Sequence, residues 1–371
     1  MKMAIVHDYL NQYGGAERVV EVMHEIWPEA PIYTTIYLKD SMPDNFKNID
    51  IKTTFMQKFP FLKSSFKKYL MFYPKAIESI DVKNFDLILS SSSAFAKGVI
   101  PGSKSCHICY CYSPMRFVWD YERYIEKENF NKLILKALIP ILKSQKKWDL
   151  NTLDRVNYFI AISENIKNKI KNIYNREAEV IYPPVNTGKF KMSKNNDNYF
   201  LIVSRLNAYK NIDTVIRAFN KLKLNLKIVG TGPYMKVLQG MVEGKNIEFV
   251  GRIEDKELTD IYSKSRGFIF PGDEDFGISP LEAQASGVPV IALARGGSLE
   301  TIINGITGIF YNENNDASLI EAVNKFISIE DKFNKNDIRK NALRFDKEIF
   351  KNKLKNFVLD KFKSFNRKIT I

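Results

Sequence analysis

Short apolar runs alternate with amphipathic stretches along the whole chain, and the alternation restarts after a polar interruption near residue 190. Met3–Val6 reads as a strand, and Ala16–Trp27 as a helix with Val19, Val20, Met23 and Ile26 on one face. Further strands are expected at Ile32–Tyr37, Phe85–Leu89, Cys106–Tyr112, Tyr158–Ile162 and Val180–Tyr182. Pro183-Pro184 and the polar run Lys191–Asn198 then break the series. It resumes with strands at Tyr199–Val203, Leu226–Val229, Ile247–Val250, Gly267–Phe270, Val288–Leu293 and Gly308–Tyr311. Strand–helix alternation requires parallel sheets covered on both faces, so two such series imply two doubly wound α/β domains. A length of 371 residues suits that reading.

Composition excludes other classes. A chain that is 45% hydrophobic and 26% charged is neither disordered nor collagen-like. The 56 Lys and Arg against 42 Asp and Glu leave a net charge of +14, which suggests an anionic partner: nucleic acid, nucleotide or acidic lipid. The three cysteines, Cys106, Cys109 and Cys111, sit in one apolar run and argue for a reducing compartment rather than a disulfide framework. With His107 they could suggest zinc, but strand alternation puts Cys106 on the opposite face from His107, Cys109 and Cys111, so no metal site is assigned. The N-terminal MKMAIVHDYL is too short and polar for a signal peptide, and no stretch is apolar enough to span a bilayer.

Ligands of doubly wound domains lie at the carboxyl ends of the strands, so the residues after each strand carry the functional information. After Met3–Val6 come Asp8 and the pair Gly14-Gly15, which would let backbone amides meet an anion at a helix start. After Tyr199–Val203 come Arg205 and Lys210, a cationic clamp suited to a diphosphate. Gly230 and Gly232 follow Leu226–Val229, but the third glycine of a dinucleotide fingerprint would fall at Met235, so a nicotinamide cofactor is not expected. Arg252 follows the next strand.

The most specific block is Pro271–Ala292, PGDEDFGISPLEAQASGVPVIA. A loop carries Glu274, a helix opens near Ser279-Pro280, and Gly287 closes it. The amides of Gly277, Ile278, Ser279 and Leu281 are expected to offer unpaired donors at the positive end of that helix. Glu274 can reach a sugar from the loop and Glu282 can accept ribose hydroxyls. Asp273-Glu274-Asp275 also reads as D-x-D, a metal motif of another fold, but the surrounding block accounts for it.

With these residues in hand, the chain resembles the retaining glycosyltransferases of family 4, which have the GT-B fold of two Rossmann-like domains facing a central cleft. Glu274 and Glu282 match the family's E-x7-E element, and Arg205 and Lys210 its basic clamp. HDYLNQYGGAERV, the run from Ser90 to Val99, CYCYSPMRFVWDY and VIYPPVNTGKF resemble a bacterial subgroup that builds O-antigen and other surface polysaccharides, often from GDP-mannose. The resemblance implies an acceptor-binding domain at 1–190, a nucleotide-sugar-binding domain at 191–345, and a C-terminal helix at 346–371 that returns to the first domain. It implies Glu274, Arg205 and Lys210 in catalysis. It places Glu282, Gly277, Ile278, Ser279, Leu281, Gly230 and Arg252 at the donor, and Asp8, Gly14, Gly15, Tyr112 and Arg116 at substrates in the first domain. No metal or cofactor is implied beyond the nucleotide-sugar co-substrate. One departure bears on the donor sugar: similar proteins carry His where this chain has Tyr112, and a phenol cannot be cationic near neutral pH.

The implied acceptor is lipid-linked, in the cytoplasm or at the inner face of the cytoplasmic membrane. Two segments fit that setting. Residues 51–77 hold six lysines and no acid among Phe55, Phe59, Phe61, Phe66, Tyr69, Phe72 and Tyr73. Residues 131–148 hold five lysines, no acid, and an apolar face of Leu133, Ile134, Leu138, Ile141 and Leu142. Both suit peripheral contact with anionic lipid. Competing readings are a UDP-sugar donor, a nucleotide-sugar epimerase or phosphorylase on the same fold, and a nucleic-acid-binding protein, for which no binding motif is present.

Overall fold

The computed structural model describes residues 1–121 and 132–369, with side chains at 1–121 and 138–367. The chain forms two compact units: Met1–Pro184 together with the residues from Glu348 onward, and Val185–Lys347. The division falls at Pro184/Val185, where the sequence alone set it after Phe190.

The first unit is a seven-stranded sheet in the order β3-β2-β1-β4-β5-β6-β7. Its strands are β1 (Met3–His7), β2 (Ile32–Thr34), β3 (Ile51–Thr53), β4 (Leu87–Ser92), β5 (Cys106–Cys111), β6 (Tyr158–Ala161) and β7 (Ala178–Val180), all paired in parallel. β3 was not expected: it is a three-residue edge strand in the lysine-rich segment, with Lys52 and Thr53 exposed, so it shows no apolar alternation. β4 continues through Ser90, Ser91 and Ser92, past the expected end at Leu89, because each buried hydroxyl is bonded. Ser90 Oγ meets His107 Nε2 at 2.8 Å, Ser91 Oγ meets His7 Nδ1 at 3.0 Å, and Ser92 Oγ accepts from the Lys97 amide at 3.3 Å. Without such partners, buried hydroxyls would oppose a central strand.

The helix Lys347–Ile369 joins this unit from Glu348. Phe350, Leu354 and Val358, spaced one turn apart, are buried, each worth roughly 1.5–3 kcal/mol. Phe350 packs edge-on against Tyr110 at 5.8 Å, and Lys351 pairs with Glu25 at 2.7 Å.

The second unit is a six-stranded parallel sheet in the order β10-β9-β8-β11-β12-β13. Its strands are β8 (Phe200–Val203), β9 (Leu226–Val229), β10 (Ile247–Gly251), β11 (Gly267–Phe270), β12 (Val290–Leu293) and β13 (Gly308–Tyr311). Both faces are covered. Phe200 and Ile202 enter one apolar cluster and Leu201 the other; Ile291 and Leu293 likewise alternate with Val290 and Ala292. In both units the chain reverses direction across the sheet between the first and fourth strands, and a ligand crevice is expected outside the carboxyl ends at that point.

Candidate active site

In the second unit the expected position of the ligand crevice is outside the ends of β8 and β11. β8 runs out into Ser204 and the exposed Arg205. A short turn, Ala208–Lys210, then leads into the helix Ile212–Leu222 through Asn211, whose backbone is left-handed (φ 56°). The Asn211 side-chain amide donates to the carbonyl of Pro271 at 3.0 Å, tying the exit of β8 to the exit of β11. That tie brings together two residues far apart in sequence: the Lys210 ammonium stands 2.5 Å from Glu274 Oε1, both side chains part-exposed. Lys210 also lies 5.2 Å from the centroid of the Tyr209 ring.

Glycines frame Glu274. A Cβ on Gly272 would come within 3.1 Å of its carboxylate. A Cβ on Gly296 (φ 58°) would lie 2.3 Å from its carbonyl oxygen, which also accepts from the Gly297 amide at 2.7 Å. These glycines were not singled out from the sequence, although Gly296-Gly297, three residues past the strand Val290–Leu293, was a readable signal of close backbone approach.

Gly277 (φ 87°) starts the helix Ile278–Ala285, and its missing Cβ leaves room for the Phe270 ring at 2.8 Å. The first turn holds no acidic side chain to neutralise the positive end. Of the expected donors, Gly277, Ile278 and Ser279 stand before the first intrahelical bond, whereas Pro280 has no N–H and Leu281 has a helical acceptor four residues back. Leu281 therefore serves as a fully buried packing residue rather than an anion ligand.

Glu282 is only 6% exposed, and one carboxylate oxygen accepts from the Tyr262 hydroxyl at 2.9 Å. Gly230, expected at the donor, is turned to the protein instead. At φ 126° a Cβ there would lie 1.9 Å from the carbonyl of Ser204, and one on Gly232 would lie 2.3 Å from that of Leu206. The two glycines thus let the loop after β9 hold the loop that carries Arg205. Arg252 is exposed just beyond β10.

The first unit treats its strand ends differently. Asp8, expected to meet substrate, is 1% exposed and faces inward. Its carboxylate accepts from the Ser93 amide (2.6 Å) and hydroxyl (2.7 Å), and from the amides of Ala94 (3.0 Å), Phe95 (2.7 Å) and Ala96 (2.6 Å). Both oxygens are thereby committed to the loop after β4. Gly14 caps the helix Gly15–Ile26 with extended backbone (φ −126°), a geometry open to any residue, and its amide donates to Glu17 at 2.9 Å. Tyr112 is half-buried. Its hydroxyl is 2.9 Å from Ser91 Oγ and donates to the carbonyl of Ala16 at 3.1 Å. Burial raises its pKa well above the ordinary value, so it stays neutral. Arg116 opens the short helix Arg116–Trp119 and is half-buried.

A buried ion pair, Lys97 with Asp149, lies behind this loop. Asp149 also accepts from Trp119 Nε1 (2.7 Å) and the Tyr174 hydroxyl (2.8 Å), pinning the helix Lys132–Asn151 to the rest of the unit. The three cysteines are free and buried, and burial pushes the Cys106 thiol up to about 12. His107 is enclosed, with Nδ1 2.8 Å from the Arg155 carbonyl, and burial lowers its pKa to about 4. Among the described residues no three His, Cys, Asp or Glu side chains come together as a metal site.

Residues 186–345, nearly the whole second unit, match the family model for glycosyl transferases group 1. That match lies within the second unit, Val185–Lys347. The O-antigen chain mannosyltransferase RfbU of Salmonella typhimurium is 32% identical over 193 residues, 48% of this chain and 54% of that protein. Mouse alpha-1,3/1,6-mannosyltransferase ALG2 is 27% identical over 194 residues, 43% of this chain and 46% of that protein. The chain thus spans about half the length of the curated relatives it matches. The Anabaena protein Alr3699/HepE, solved in complex with UDP, superposes with a TM-score of 0.72 at 17% identity, covering 97% of this chain and all of that one. The fold is the GT-B fold.

Proposed function

We propose that this chain transfers mannose from GDP-mannose to a lipid-linked glycan in surface polysaccharide synthesis, with retention of anomeric configuration and without a metal. The observation that carries this reading is the cluster at the β8/β11 crevice. Lys210 lies against Glu274, Arg205 is exposed one strand end away, and the helix Ile278–Ala285 lacks an acid in its first turn. Such an array suits a leaving diphosphate, whose charge grows as the glycosidic bond breaks. In the proposed step the bond from the anomeric carbon to the phosphate oxygen breaks and a bond to the acceptor oxygen forms on the same face. The acceptor proton passes to the departing phosphate. Lys210 and Arg205 stabilise the leaving group. Glu274 is placed to hold sugar hydroxyls and to face the oxocarbenium-like charge, not to attack it. In this scheme the diphosphate takes Lys210 from Glu274 on binding.

RfbU and ALG2 are both named mannosyltransferases, which supports mannose as the transferred sugar. Among the described residues no helix is long and apolar enough to cross a membrane. A lipid-linked acceptor in this reading puts the chain peripherally at the inner face of the cytoplasmic membrane. A thermal-shift screen against GDP-, UDP-, ADP- and TDP-sugars tests the donor. Stabilisation by GDP-mannose is expected, and stabilisation by UDP-sugars alone overturns that choice. Transfer by the wild type that persists undiminished in both Lys210→Ala and Glu274→Ala overturns the site.

A further inference from the structure

The segment 51–77 leaves apolar side chains in solvent. Phe61 is 79% exposed, Met71 64% and Phe72 47%. They are not frayed ends. Leu62 and Tyr73, beside Phe61 and Phe72 in sequence, are buried in the core of the first unit, as is Met56. Phe59 packs on Tyr69 at 4.9 Å and on Phe72 at 5.2 Å, and the Tyr69 hydroxyl donates to the carbonyl of Pro60 at 2.7 Å. Phe61 itself has left-handed backbone (φ 53°), rare for an aromatic residue, and its carbonyl accepts from the amides of Ser64 (3.1 Å) and Ser65 (2.8 Å). The fold thus holds these rings outward on a built support.

Lys63, Lys67 and Lys68 are exposed beside them, and among the described residues none of the three is in an ion pair. Gln145 Nε2 lies 3.4 Å from the carbonyl of Leu70, which sets the second basic segment, with exposed Lys143 and Lys147, alongside the first. Asn131 and the side chains of Leu133 and Ile134 lie outside the described residues.

We propose that Phe61, Met71 and Phe72, bordered by Lys63, Lys67 and Lys68, form the surface by which the chain docks on an anionic lipid bilayer. This deepens, and rests on, the peripheral placement above. Phe and Met carry no hydrogen-bonding group in their side chains, so they can enter hydrocarbon without stranding one, while the lysines remain at headgroup level. An acid-free stretch fits an anionic surface and no other charge.

The test is co-sedimentation of the full chain with phosphatidylglycerol-containing and pure phosphatidylcholine vesicles. Binding to the anionic vesicles is expected to be at least about tenfold stronger, and to weaken with salt. Lys63→Glu/Lys67→Glu/Lys68→Glu should abolish the preference, and Phe61→Ser/Met71→Ser/Phe72→Ser should lower binding at least about tenfold. The reversal Lys325→Glu/Lys332→Glu/Lys340→Glu, equal in charge but in the second unit, should retain binding. Equal loss in that control, no lipid preference in the wild type, or a dimer dispersed by the apolar triple variant with no vesicle binding overturns the surface. Circular dichroism monitors folding; if the apolar variant unfolds, the lysine variant decides. Thermal shift by GDP-mannose without vesicles separates the two readings. Loss of vesicle binding with the shift intact removes the docking surface alone, and vesicle binding with no shift removes the donor reading alone.

Discussion

The two units share a sheet order yet use the same crevice in opposite ways. At the β1/β4 crossing of the first, the chain supplies its own anion: the Asp8 carboxylate takes four amides and a hydroxyl from residues 93–96. At the β8/β11 crossing of the second, Arg205 is exposed, Lys210 and Glu274 form a part-exposed pair, and the nearby helix has no acid in its first turn. Topology defines where a ligand can lie; the residues leaving the strands decide whether that place is filled from within or left for a substrate.

The largest expected effect would break the closed side of this comparison. Asp8→Ala strands buried amides and should cost about 3–5 kcal/mol in chemical denaturation. Asp8→Asn should also destabilise, because its NH2 would face donors. Wild-type stability in both would mean that Asp8 does not hold the loop.

Next comes pH. His107 binds a proton in the unfolded chain below about 6.5 but in the folded one only below about 4. The unfolded state therefore binds more protons between these values. Stability should fall as pH drops through that window, by up to on the order of 3 kcal/mol. His107→Gln should flatten that slope, and an unchanged slope would relocate the effect to other groups.

On the open side, Lys210→Ala should weaken GDP binding by about 2 kcal/mol, roughly thirtyfold, by calorimetry. Glu274→Gln should tighten GDP binding while lowering transfer, because it removes the carboxylate that occupies Lys210. Weaker binding in Glu274→Gln would show that the pair does not compete with nucleotide. The smallest effect is expected at Tyr112→Phe, about 1 kcal/mol of stability for the bonds to Ser91 and Ala16. A large loss of transfer with little loss of stability would instead place that hydroxyl at the substrate.

Much of the site was legible because its parts are contiguous in the chain: the strand Gly267–Phe270, the positive-φ Gly277 and the helix start follow one another in a single block. Asp8 and Gly230 read as ligand contacts because each follows a strand, and Tyr112 because it stands where similar proteins carry His. Their side chains or backbones turned out to be engaged by Ser91, by residues 93–96 and by Ser204. No local pattern encodes that, because every partner comes from another strand end.

Apolar periodicity and turn residues act within a few positions, so the amino-acid order was enough for two parallel sheets and for the glycosyltransferase-like block at 271–292. The meeting of Lys210 with Glu274, the capture of Asp8 and the outward hold on Phe61 depend on which loops pack side by side. Register and side-chain volume across the sheet settle that, and they exist only once the strands have assembled.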